Sequence, residues 1–157
     1  MARAKKDGLR FLSFRPRSSQ ELKTRLLQKK YKTELVDAVI EYFSKQGLVD
    51  DEKFARLYAL SHIQSRPVGK TRIRHKLQEK GLSAKNVESA LGSLQDFDER
   101  QVALDIAVRR HQHMTRLPQN VSKVRLYGFL KRRGFTSDAV FYALSKLYKG
   151  PRISHDD

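Results

Sequence analysis

Apolar residues recur along this chain at helical spacing, and the pattern they form recurs as well. Leu22, Ile73 and Leu126 occupy one column, and Leu26, Leu77 and Leu130 the next. Tyr31, Leu82 and Phe135 follow, then Val36, Val87 and Val140. The register continues through Val39, Ala90 and Ala143 and through Ile40, Leu91 and Leu144, and ends at Phe43, Leu94 and Leu147. Shifts of 51 and then 53 residues align all seven columns, so one small helical element set is built three times in tandem.

The second repeat defines the plan. Asp50, Asp51 and Glu52 put carboxylates where a helix N-terminus favours them, and Phe54 with Tyr58 and Ala55 with Ala59 recur at i, i+4, giving a first helix to about Gln64. Pro67 and Gly69 break it. A second helix then carries Ile73 and Leu77 on one stripe up to Gly81, a left-handed C-terminal cap. Ser83 caps a third helix that turns Val87, Ala90, Leu91 and Leu94 inward.

The third repeat restarts at Asp98 and Glu99, has Val102 and Ile106 where Phe54 and Tyr58 stand, and inserts about five residues around His113 to Asn120. In the first repeat, whose second helix opens on the N-cap candidates Ser18 and Ser19, the first helix is read as short, from about Asp7 to Phe14. Lys30 replaces the glycine of the later turns, and because a left-handed lysine costs roughly 1 kcal/mol, a different turn is expected there.

No stretch alternates as a strand would, so the fold class is all-α: tandem three-helix repeats over 1–47, 48–97 and 98–149, with a polar, disordered tail at 150–157. About 50 residues bury too little apolar surface to be stable alone. Neighbouring repeats should therefore share faces and form an elongated array.

Charge decides what kind of surface this is. The 33 Lys and Arg outnumber the 17 Asp and Glu, for a net +16, spread as +7, +3 and +6 over the three repeats and the tail. A basic tail does not account for that distribution, so the folded repeats carry it. The candidate binding residues at the repeat entrances and on the second helices are Arg15, Arg17, Lys23, Arg25, Arg66, Lys70, Arg72, Arg74, Lys76, Lys123, Arg125 and Arg132. Few acids stand four residues away from them, which leaves basic faces suited to phosphate or to an acidic protein.

Other chemistry is not visible. Absence of cysteine removes disulfides, thiolate catalysis and cysteine-ligated zinc. Gly69-Lys70-Thr71 imitates the end of a phosphate-binding loop, but Gln64 stands where that loop needs glycine. His111 and His113 point in different directions on a helix and gain no third ligand. The expectation is a non-enzyme without cofactor or metal. Asp7, Arg10 and Arg15 interrupt any signal-peptide core, and no apolar run is long enough to span a bilayer, so a soluble cytoplasmic protein is expected. Most aromatics, among them Phe11, Phe14, Tyr42, Phe129 and Phe141, are read as core, while Tyr127 and Tyr142 lie off the main stripes and are candidates for contact.

Three fragments, in this order and spacing, resemble the RecX family of regulators of the bacterial RecA recombinase. They are Arg15-Pro16-Arg17-Ser18 leading to Glu21-Leu22 and Arg25-Leu26; Gly47-Leu48-Val49-Asp50-Asp51 leading to Phe54-Ala55; and Gly69 leading to Arg72-Ile73, Lys76-Leu77 and Lys80-Gly81. The resemblance covers about residues 9 to 94. It implies tandem three-helix repeats forming a curved, elongated modulator that lies in the groove of the RecA filament on single-stranded DNA, and a monomer is expected. It also implies inhibition of ATP hydrolysis, strand exchange and the coprotease activity that triggers the damage response. Direct contact with single- or double-stranded DNA is compatible with the same surface. The alternative is a sequence-tolerant DNA-binding protein of helix-turn-helix-like units.

Overall fold

Helix ends follow the local chemistry of the chain in most places. The computed structural model describes residues 1–65 and 67–148, so Arg66 and the expected tail lie outside the described residues. Among the described residues there are nine α-helices and no strand: α1 Ala2–Phe14, α2 Ser19–Gln28, α3 Thr33–Lys45, α4 Asp51–Ser65, α5 Lys70–Glu79, α6 Ala84–Gly92, α7 Glu99–His111, α8 Gln119–Arg132 and α9 Ser137–Tyr148. Ser18 caps α2 in a full capping box with Glu21, and Ser83 caps α6 through the amide of Asn86. Asp98 caps α7 through the amide of Gln101. The connection lengthened in the third repeat opens with a 3₁₀ turn, Gln112–Met114, that buries Met114, and runs on irregularly to the start of α8 at Gln119.

Two local expectations change. Helix α1 is thirteen residues long instead of starting at Asp7. Its Asp7 carboxylate is taken by Lys29 and the Tyr31 hydroxyl at 3.0 and 2.8 Å, and the added first turn buries Ala4. Lys30 does adopt the left-handed conformation, with φ of 64°, so the turn keeps the hand of Gly81 and Gly134 at 76° and 80°. Lys30 is exposed, whereas a Cβ at Gly81 would meet the Gln20 side chain and one at Gly134 would meet the Arg72 backbone. Glycine is needed at the later turns for space as well as for φ.

The seven columns are the core. All of them are buried in the second repeat, and in the first and third only Tyr31, Ile40 and Leu147 are merely half-buried. The chain divides into two compact units, residues 1–61 with 74–94 and residues 62–73 with the chain from 95 onward. Within the first, Ala4, Leu22, Leu26, Val36, Val39, Phe43 and Val49 form one cluster, and Gly8 lies against the Phe43 ring. Within the second, Ala103, Ile106 and Ala107 of α7 meet Leu126 and Leu130 of α8 and Val140, Ala143 and Leu144 of α9 around Phe135.

Each compact unit contains the same kind of joint. In the first, Asp51 from the first turn of α4 accepts the Ser19 amide and hydroxyl at the start of α2, at 2.7 and 2.6 Å. In the second, Glu99 from the first turn of α7 accepts the Lys70 amide at the start of α5, at 2.8 Å, and holds Thr136 by its amide and hydroxyl. The acidic clusters at 50–52 and 98–99 thus divide their work. Asp50 and Asp98 cap their own helices, while Asp51 and Glu99 cap the second helix of the repeat before.

Candidate functional site

Cations on the second helices need partners or solvent, and for Lys23 and Arg74 the partners come from other helices. Lys23 on α2 pairs with Asp37 on α3 at 2.6 Å, and Arg74 on α5 pairs with Glu88 on α6 through two hydrogen bonds of 2.8 and 3.2 Å. Arg15 grips Glu21 in the same two-pronged way, and Lys76 reaches Glu79 at 2.7 Å. The expectation of largely unpaired basic faces is therefore corrected for Arg15, Lys23 and Arg74, while Lys76 takes the acid that lies close to it in the chain. Their acids lie mostly fourteen or six residues away in the chain, outside the i±4 window.

Glu21 is the busiest of these acids. It accepts from Arg15, from Lys80 at 2.9 Å and from the Ser18 amide. Burial alone would raise its pKa, but the hydrogen bonds from Arg15, Lys80 and Ser18 prevail and hold it down to about 2. Arg15, Arg17, Arg25 and Lys80 line a groove of about 400 Å³ with Glu21 on its wall. Arg17 donates to the Phe11 carbonyl at 3.1 Å, and burial lowers its pKa. Arg25 makes a hydrogen bond to Gln28 and, with Arg17, stands near the Phe11 ring.

In the second compact unit the cations gather at the start of α5 and along α8. Arg72 donates to the Arg132 carbonyl at 3.2 Å, and Arg133 stands 4.9 Å from the Phe129 ring and donates to the Pro67 carbonyl. Helix α8 has no Asp or Glu in its sequence. Among the described residues, no carboxylate pairs with Lys123, Arg125, Lys131 or Arg132, all four of them exposed, nor with the half-buried Lys70. Of the three second helices, α8 is thus the one on which no cation pairs with a described carboxylate. Lys80, Lys131 and Arg133 were not in the candidate set, because what distinguishes them is their neighbours across helices.

Aromatic placement also differs from the reading of the chain. Phe14, Tyr42 and Phe141 were read as core and are exposed, Phe14 by 73% and Phe141 by 61%. Tyr42 is covered on one face by the Lys5 ammonium, 3.1 Å from the ring centroid. Phe141 lies beside Tyr127, with centroids 6.1 Å apart and the ring planes tilted by 46°. The column holding Asp37, Glu88 and Phe141 signals that Phe141 lies on the surface, since its two counterparts are acids.

Among the described residues no group of three or more His, Asp or Glu could hold a metal ion, and no helix is long and apolar enough to cross a membrane. What the surface offers is recognition of negative charge, with half-buried rings beside the cations.

Comparison with known proteins agrees with this architecture. Residues 4–43 match the family model described as RecX, first three-helix domain, and residues 50–91 match RecX, second three-helix domain. Regulatory protein RecX of Chlorobium limicola is 32% identical over 95% of this chain and 92% of its own length. Its counterpart in Mycolicibacterium smegmatis is 33% identical over 90% of this chain and 78% of its own. The crystal structure of RecX from Lactobacillus salivarius superposes with a TM-score of 0.86 over 93% of this chain and 95% of that one, at 18% identity, and so shows the shared fold. Matched by both three-helix models and by relatives that share about a third of its residues over nine-tenths or more of its length, the chain belongs to the RecX family.

Proposed function

We propose that this protein is a non-enzymatic regulator that binds the RecA filament on single-stranded DNA. There it inhibits ATP hydrolysis, strand exchange and coprotease activity in the cytoplasm. Membership of the RecX family over both three-helix models is the observation that carries the reading. The unpaired cations of α8, together with Arg17, Arg25, Lys70 and Arg72, supply a surface for an acidic polymer. A ligand that touches two neighbouring subunits at once biases the interface between them. A protein without catalytic groups can stop an ATPase in that way, provided it binds one arrangement of the subunits better than the other.

The test is DNA-dependent ATP hydrolysis by RecA, with DNA in excess over both proteins. Under that condition competition for DNA disappears, so inhibition that persists supports the reading, and inhibition that vanishes with excess DNA points to a DNA-binding protein instead. Charge reversal of Arg125 and Arg132, which make no ion pair with a described residue, is expected to weaken inhibition at least tenfold without loss of helicity. Unchanged inhibition would remove α8 from the contact surface.

A further inference from the structure

One surface position is filled differently in the three repeats. On the second and third helices the first repeat has Lys23 with Asp37 and the second has Arg74 with Glu88, both closed ion pairs. The same columns in the third repeat hold Tyr127 and Phe141, a ring pair. Folding does not call for rings at this place, because two sister repeats use ions there. The rings are also costly to leave in water: Phe141 is 61% exposed and Val124, one turn before Tyr127, is 72% exposed.

Cations flank the pair along one line. Lys123, Tyr127 and Lys131 follow at i, i+4 and i+8 on α8, so the two exposed lysines bracket the tyrosine over about 12 Å of helix. The Lys131 ammonium reaches Ser137, one turn before Phe141 on α9. The nearby acid, Asp138 on α9, is held by Arg100 through two hydrogen bonds of 2.6 and 2.8 Å. The patch is therefore apolar and aromatic at its centre and positive at both ends.

We infer that Tyr127 and Phe141 form a base-stacking platform for single-stranded nucleic acid, with Lys123 and Lys131 meeting its phosphates. A single strand repeats an anion and a planar ring in every residue, and this patch offers the complement of both. A second copy of the chain does not fit, since it would bring like charge against the +6 of this repeat and tail. The inference needs no recombinase, so it stands or falls apart from the function proposed above.

The sister repeats supply the experiment. Tyr127→Arg with Phe141→Glu copies the Arg74–Glu88 pair, keeps the net charge, and is expected to leave helicity and melting unchanged. Binding of the full chain to fluorescein-labelled (dT)20 and to an abasic strand of the same length is measured by anisotropy across a salt series. The swap is expected to weaken (dT)20 binding about tenfold while leaving abasic binding and the salt slope as they were. Lys123→Gln with Lys131→Gln is expected to reduce the slope by about 1.4 on both single strands. If the swap disturbs folding, Phe141→Ser removes the exposed ring alone and takes its place. Equal (dT)20 affinity in the swapped and original proteins would overturn the inference. So would a loss confined to binding the protein surface of a recombinase filament, which would make the patch a protein-docking face.

Discussion

The joint at the start of α2 and the joint at the start of α5 solve one problem with different atoms. Both leave helix-initial amides to be satisfied, and both receive a carboxylate from the first turn of the following repeat, Asp51 in one case and Glu99 in the other. Around that carboxylate the first joint is made by side chains. The buried Ser18 hydroxyl donates to the Lys80 carbonyl at 2.6 Å, and Glu21 ties Arg15 to Lys80. The second joint is made by backbone: the Gly69 amide donates to the Arg133 carbonyl at 3.0 Å and the Thr71 amide to the Gly134 carbonyl at 3.1 Å. Side chains can yield when crowded, and backbone cannot. The comparison therefore predicts where the protein tolerates change.

Alanine at the two glycine turns should show the largest difference. Gly134→Ala adds left-handed strain and drives a Cβ into the Arg72 backbone, and is expected to cost about 3 kcal/mol or more. Gly81→Ala adds the same left-handed strain and meets the Cβ and Cγ of Gln20, the root of a side chain that must shift with its helix, and should cost less, about 2 kcal/mol. Thermal or urea unfolding measures both, and equal losses would dissolve the distinction between the joints.

Next come the carboxylates. Glu99→Ala frees the Lys70 amide and both polar groups of Thr136, and is expected to cost about 2 kcal/mol. Asp51→Ala frees the Ser19 amide and hydroxyl and should cost about 1.5 kcal/mol. Denaturant midpoints of the two variants would reverse the ranking if the Thr136 bonds add nothing.

Acid should separate the joints further. Glu21 has a folded pKa of about 2, below its ordinary 4.5, so its contribution is complete above about pH 4.5 and is lost as the pH falls toward 2. Because its side chain is mostly buried, the contribution is on the order of 1–3 kcal/mol. The same column holds Arg72 and Arg125, so the later repeats lack this acid-sensitive tie. Glu21→Gln is expected to flatten the fall in stability across that window, and a pH series of unfolding curves that keeps its slope would assign the loss elsewhere.

The smallest effect is expected at Lys30. Lys30→Gly relieves a left-handed lysine but frees the unfolded chain, for a net gain of about 0.5 kcal/mol in urea unfolding. A clear destabilisation would mean that the lysine side chain itself contributes to the turn.

The chain determined its own core. The columns from Leu22, Ile73 and Leu126 onward are interior because helical periodicity is a local property, and a residue 3.6 positions per turn from its neighbours has its face set before any packing occurs. The caps at Ser18, Ser83 and Asp98 and the left-handed turns at Gly81 and Gly134 were legible for the same reason. Packing alone settled which charges are spent. Lys23 and Arg74 find their acids one helix away, Asp51 and Glu99 cap helices other than their own, and Lys123 and Arg125 find no acid among the described residues. An ion pair needs two groups a few ångströms apart, and distances across helices do not exist until the repeats have folded.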